Sequence, residues 1–261
     1  MPLSGKRILV TRAKEQGSST ADVLRERGAV PVLFPAIEIH SPGDPAPLAA
    51  CLRALLAGRY GWVVFTSANG VEKTWEALEA MGADARAFGR SRLAAIGPAT
   101  AEALRVHGLE ADVVASELRG EGLAEVLVTA ASRAADEQPV ALLARAEKAR
   151  EVLPERLRAA GWEVDVVAAY ENRPPSPEKT AWLLRELEDR RIDAVVFTSS
   201  STVDNLCDLL GPRASERLQG VRIASIGPLT TATARERGLR VDVTAAQSTV
   251  RGLVQALEES W

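Results

Sequence analysis

Four hydroxyl residues, Thr198, Ser199, Ser200 and Ser201, follow an apolar run in "DAVVFTSSSTVDNL", and "GWVVFTSANGVEKTW" places Thr66, Ser67, Ala68 and Asn69 at the same point. In both stretches a short apolar run typical of a buried strand passes through small and hydroxyl residues into a helical pattern. The chemistry such a turn offers is anion binding. A helix N-terminus leaves backbone N–H groups unpaired and carries the positive end of the helix dipole. Ser and Thr add donors, and small side chains let an anion approach the backbone. Two further turns are of this kind: "IGPAT", with Gly97 and Thr100, and "IGPLT", with Gly227 and Thr230. Pro98 and Pro228 suit a first helical turn, where no N–H is required. One hydroxyl per turn is explained by capping alone. The five of "TSSST" exceed that need, and four such turns on facing lobes suit a ligand with several carboxylates or phosphates.

Other catalytic groups are sparse. No GxSxG, HExxH, P-loop or GxGxxG pattern is present. His40 falls in a linker, and His107 is matched by Arg237 in a repeated segment, so both read as surface residues. Arg12 and Arg145 stand where two matching strands end; each could clasp an anion or pack its stem on the sheet. Tyrosine occurs only as Tyr60 and Tyr170. Tyr60 precedes the strand "WVVF", away from a ligand edge, and reads as packing. Tyr170 is different, because Ile37 occupies the matching position of the other repeat. A phenol on one side of a duplicated scaffold breaks its twofold, which an active site needs.

The elements that must position these residues are repeated. "RILVTRAKEQGSSTADVLRERGAVPVLFPAIEI" from Arg7 matches "VALLARAEKAREVLPERLRAAGWEVDVVAAYEN" from Val140, and "RLAAIGPATAEALRVHGLEADVV" from Arg92 matches "RIASIGPLTTATARERGLRVDVT" from Arg222. The chain is two copies of one unit of about 130 residues. Each reads as alternating strands and helices, with short continuous apolar strands such as "WVVF" and "LAAI" and helices ending at Gly28, Gly108, Gly161 and Gly238. That pattern predicts a doubly wound, mostly parallel α/β sheet, twice. The place to cut is open. A polar stretch near Ser132 to Glu137 would give a tandem; the Pro-rich "HSPGDPAP" and "ENRPPSP" segments would instead give a discontinuous first lobe and an inserted second one.

Composition is that of an ordinary globular protein, 261 residues with 46 % apolar and 26 % charged side chains. A net charge of -3 gives no reason to expect nucleic acid. No apolar run reaches the length of a membrane span, and the N-terminus enters a strand without a signal-peptide pattern. Cys51 and Cys207 show neither metal spacing nor CxxC. A cytoplasmic protein without a metal site is expected.

On these motifs the sequence resembles the uroporphyrinogen-III synthase family. The likeness spans the chain: an "LVTR" first strand, "VFTSANGV" and "VFTSSSTV", the "IGPAT" and "IGPLTT" turns, "AAY" before the Pro-rich crossing, and a closing "TVRGLVQAL". The resemblance implies two HemD-like α/β lobes joined by a two-stranded linker, residues 1–38 with 173–261 forming the first and 39–172 the second. It implies hydroxymethylbilane, a linear tetrapyrrole with many carboxylates, as substrate in the cleft between lobes. The ring A hydroxyl leaves as water, ring D attacks through its substituted carbon, and a spiro intermediate fragments and recloses with ring D inverted. No metal or organic cofactor is implied. The matching tyrosine, Tyr170, assists departure of the hydroxyl; Thr100 and Thr230 are cleft contacts. The turns Thr66–Asn69 and Thr198–Ser201 would bind acetate and propionate groups, beside Arg12, Gly97 and Gly227, which are read from the residues themselves as candidate substrate contacts. "TSAN" departs from the commoner family variants at Ala68 and Asn69. A monomer in transient contact with the preceding pathway enzyme is expected.

Two other readings stand beside this one. A two-lobed binder of a polycarboxylate or phosphate would use the same turns without catalysis. A flavodoxin-like electron carrier could place a flavin phosphate there, although 4 % aromatic residues leave little to stack on the ring.

Overall fold

The structure is a computed structural model that describes residues 2–11, 14–117, 119–133 and 139–261. The chain begins with β1 (Arg7–Val10), α1 (Lys14–Glu26) and β2 (Val30–Leu33). There follow β3 (Glu38–His40), α2 (Ala46–Leu56), β4 (Trp62–Phe65), α3 (Ala68–Ala80), β5 (Arg92–Ala95), α4 (Pro98–Val106) and β6 (Val113–Val114). The middle continues with α5 (Gly120–Arg133), β7 (Val140–Ala146), α6 (Val152–Ala159) and β8 (Glu163–Arg173). The last stretch holds α7 (Pro177–Glu188), β9 (Ala194–Phe197), α8 (Ser200–Leu210) and α9 (Ala214–Arg217). It ends with β10 (Arg222–Ser225), α10 (Pro228–Glu236), β11 (Val243–Thr244) and α11 (Val250–Glu259).

The chain divides into two compact units, Met1–Glu38 with Arg173–Trp261, and Ile39–Asn172. The first unit has a five-stranded sheet of order β11-β10-β9-β1-β2, and its strand pairs run parallel. The second has a six-stranded sheet of order β3-β8-β7-β4-β5-β6, parallel from β8 to β6. The chain leaves the first unit within β3 and returns at the end of β8, and these two strands are neighbours at the sheet edge.

Continuous apolar strands serve both faces of each sheet. In β9, Val195 and Phe197 pack with Leu183 and Leu187 of α7 and Leu206 of α8. Ala194 and Val196 point the other way, with Leu24 of α1 and Leu253 and Leu257 of α11. In β4, Val63 and Phe65 join Leu52, Leu78 and Leu104 of α2, α3 and α4, while Trp62 and Val64 join Leu123 and Leu157 of α5 and α6. The two-residue side-chain period sends alternate residues to opposite layers. Each fully buried Leu or Phe contributes about 2 kcal/mol by removal of apolar surface from water. Gly28 and Gly161, which close α1 and α6 in the two copies, both take positive φ, 78° and 87°, the left-handed conformation that glycine adopts without steric cost. Among the described residues no helix is long and apolar enough to cross a membrane.

Candidate active site

Strand order reverses between β1 and β9 in the first sheet and between β7 and β4 in the second. In a doubly wound sheet the ligand crevice opens at the carboxyl ends of the strands at that reversal. The hydroxyl-rich turns stand at both places. Thr198 and Ser199 follow β9, and Thr66 and Ser67 follow β4.

In the first unit, Thr11 directly follows β1 and is 3 % exposed. Among the described residues neither its hydroxyl nor that of Thr198 has a hydrogen-bond partner, although both oxygens are buried. Buried hydroxyls are usually paired; these two stand without a partner at the strand reversal, as those of Thr20 and Thr74 do within their helices. Ser199, Ser200 and Ser201 open α8. Thr202 closes the turn: its Oγ1 accepts from the Ser199 N–H at 3.2 Å and donates to the Ser199 carbonyl at 2.6 Å. Ser199 Oγ is bonded to Ser201 Oγ at 3.0 Å, and Thr233 of α10 donates to Ser200 Oγ at 2.8 Å. Arg12 lies outside the described residues.

In the second unit the corresponding reversal holds a cavity of about 150 Å³ lined by Thr66, Ile96, Leu143, Arg145 and the starts of α5 and α6. Arg145 is 5 % exposed. Its Nη1 donates to the Arg150 carbonyl at 2.7 Å, and its other Nη pairs with Glu151. The guanidinium thus braces the loop ahead of α6 as well as lining the cavity.

On the opposite face of the same sheet edge, Ser67 caps α3: its backbone is extended (φ -164°, ψ 155°) and its Oγ accepts from the Gly70 N–H at 3.0 Å. The Tyr170 hydroxyl lies 3.0 Å from the same Oγ. Tyr170 is 6 % exposed and belongs to β8. Its position depends on a break in the ladder. Arg145 pairs with Ala168, but Ala146 pairs with Tyr170, so Ala169 is an extra residue. Without that bulge, alternation would send Tyr170 to the face of Val164; with it, Tyr170 shares a core with Val167, Phe65 and Val71. Gly70 allows the approach, because a Cβ there would sit 3.1 Å from the Ala144 carbonyl and 3.3 Å from Ser67 Oγ.

Ala68 and Asn69 form the first turn of α3, half-buried. Gly97 and Gly227 are the residues preceding α4 and α10, both extended, with Pro98 and Pro228 first in their helices. Thr100 and Thr230 lie one turn inside, 3 % and 4 % exposed. Sequence reasoning did not find the Ser67–Tyr170 bond, the bulge or the orphaned Thr11. Besides the asymmetry of Tyr170 against Ile37, the available signal was Gly70, three residues after the N-cap, where glycine has no local conformational need.

Tyr60 is a structural contrast to Tyr170. It is 2 % exposed and donates to Asp165 Oδ2 at 2.8 Å. Burial, and then the bond to Asp165, push its phenol well above the ordinary value. His107, expected at the surface, is instead stacked on Trp75 with ring centroids 4.2 Å apart and bonded to Glu72 at 3.1 Å. Its match to Arg237 misled because the partner ring comes from α3, which no local pattern reveals. Among the described residues no group of three or more His, Cys, Asp or Glu side chains could hold a metal ion.

These features define an internally duplicated, doubly wound α/β protein with hydroxyl-rich turns on the carboxyl edges of two parallel sheets. The family model for uroporphyrinogen-III synthase HemD matches residues 18–255. The chain is 36 % identical to a uroporphyrinogen-III synthase of Synechococcus elongatus, over 99 % of this chain and 96 % of that one. It is 32 % identical to a putative uroporphyrinogen-III synthase of Methanothermobacter thermautotrophicus, over 97 % and 98 %. A crystal structure of a mutant uroporphyrinogen III synthase from the extreme thermophile Thermus thermophilus has the same fold, with TM-score 0.68, 21 % identity and 98 % of each chain covered. The chain belongs to the uroporphyrinogen-III synthase family, cyclising enzymes of porphyrin biosynthesis.

Proposed function

We propose that this chain cyclises hydroxymethylbilane to uroporphyrinogen III, with loss of water and inversion of ring D. The observation that carries the assignment of the chemical step is the Tyr170 phenol held 3.0 Å from the N-cap serine of α3 at the ligand edge of its sheet. In this reading Tyr170 is the general acid. Its O–H supplies a proton as the C–O bond of the ring A hydroxymethyl group breaks; water departs and an azafulvene remains. Ring D attacks through its substituted carbon, the spiro intermediate fragments, and reclosure at the free α-carbon of ring D releases a hydrogen as the proton that restores the phenol.

The substrate also closes unaided to the uninverted isomer, so the greater task is holding a floppy polyanion in one conformation. The backbone N–H groups at the starts of α3, α4, α8 and α10 supply oriented donors for its carboxylates. Thr66, Ser67, Ala68 and Asn69, Thr198 to Ser201, Gly97 and Gly227 shape those turns, and Arg12 adds a cation. Thr100 and Thr230, nearly buried in their own units, support the turns from beneath rather than reaching for the ligand. We take the working form as a cytoplasmic monomer that receives its unstable substrate in transient contact with the enzyme that makes it. Incubation with hydroxymethylbilane and analysis of the product isomers tests the function. Isomer III is expected well above the spontaneous background; isomer I alone, at the uncatalysed rate, defeats the proposal and leaves a non-catalytic polycarboxylate binder.

A further inference from the structure

We infer that Ser67 is the positioning residue for Tyr170: its hydroxyl donates to the tyrosine oxygen, freeing the phenol proton for the substrate and holding the phenolate that remains. The inference rests on the reading of Tyr170 as general acid, and it gives Ser67 a part distinct from contact with substrate carboxylates.

A serine hydroxyl has one proton and two lone pairs. The Gly70 N–H occupies one lone pair of Ser67 at 3.0 Å. The bond to Tyr170, also 3.0 Å, can run either way. If Tyr170 donates, its proton is committed to Ser67 and is withheld from a leaving group. If Ser67 donates, the phenol proton is free to turn towards the substrate. Proton transfer then leaves charge on the tyrosine oxygen, and a hydrogen bond to an ionised oxygen is shorter and about twice as strong as a neutral one. The bond therefore strengthens as the reaction proceeds, which is what lowers a barrier. Ser67 is fixed for this part by the Gly70 N–H and stands at the positive end of α3, a 13-residue helix whose dipole favours a nearby anion. Proton count is unchanged: Tyr170 gives one proton to the departing hydroxyl and regains one from ring D, while Ser67 keeps its own. The other copy lacks the device, for Ser199 is bonded to Ser201 and Ile37 replaces the tyrosine.

Steady-state kinetics with hydroxymethylbilane on Ser67→Ala, Ser67→Thr, Ser67→Asp, Tyr170→Phe and the Ser67→Ala/Tyr170→Phe double variant test this. Ser67→Ala is expected to lower kcat about tenfold with KM within about twofold, and Ser67→Thr to recover most of the loss. Ser67→Asp keeps a cap acceptor but as a carboxylate can only accept, so it is expected to lose at least as much as Ser67→Ala. Thr249→Ala, which removes the same kind of cap from α11, is expected to leave the rate unchanged and so to separate lost capping from lost donation. In the double variant the effects are expected to overlap, giving the rate of Tyr170→Phe alone. Multiplying losses, a change confined to KM, or an Asp variant near full activity would each overturn the inference. Full activity in Tyr170→Phe would instead overturn the general-acid reading on which it stands.

Discussion

The turns that open α3 and α8 share the residues Phe-Thr-Ser, yet they use their hydroxyls differently. At α8 the groups bond one another: Thr202 holds Ser199, Ser199 holds Ser201, and Thr233 reaches Ser200. At α3 the serine oxygen looks outward from the turn to a tyrosine on a strand two positions away in the sheet. Duplication thus supplied two hydroxyl-rich sheet edges, and one bulged strand brought a phenol to one of them alone; in the function proposed above, that edge is where a proton is given. Symmetry serves binding, and its breaking serves chemistry.

The sharpest test of that contrast is Tyr170→Phe. Turnover is expected to fall about 100-fold, within the range of a lost general acid, with far-ultraviolet circular dichroism unchanged. Adding Ile37→Tyr to that variant is expected to recover nothing; recovery would show the two copies to be interchangeable. A smaller effect is expected on the other side. Thr202→Ala removes the closure of the α8 turn, costing about 1 kcal/mol by denaturant titration and raising KM several-fold with kcat little changed. A fall in kcat comparable with that of Tyr170→Phe would place chemistry in both units. Smaller again, Thr100→Ala and Thr230→Ala are each expected to reduce kcat/KM by about threefold, since they act through the shape of their turns.

The mildest prediction concerns the second tyrosine. The folded state raises the phenol of Tyr60 above its ordinary value near 10. Above that pH the unfolded chain loses the proton while the folded chain keeps it, so stability falls as pH rises. Below it, both states are protonated and the slope vanishes. Urea titrations above about pH 10 are expected to show this decline, with a shallower one in Tyr60→Phe. An equal slope in both proteins would place the decline in other groups.

Much of the fold was legible because its signals are local. Apolar quartets such as Ala194–Phe197 and Trp62–Phe65 read as strands covered on both faces, and each does feed two cores. The turns after them read as helix starts, as Ser67 and Ser199 show. The asymmetry of Tyr170 against Ile37 was visible as well, as a difference between repeats. Other features depend on partners distant in the chain. The stack of His107 on Trp75 joins residues of different helices. The pairing of Arg7 with Glu186 joins chain segments 179 residues apart. Neither leaves a trace in local composition.

Residue type and spacing were enough to determine the duplication, the alternation of strand and helix, and the hydroxyl-rich helix starts, because backbone sterics, side-chain period and capping act over a few residues. Tertiary structure decided the rest. That β1 lies beside β9 rather than β4, and that one additional residue at Ala169 turns a phenol to the face where Ser67 waits, follows from strand pairing and register. Those are settled by packing over the whole sheet, and no short window of sequence carries that information.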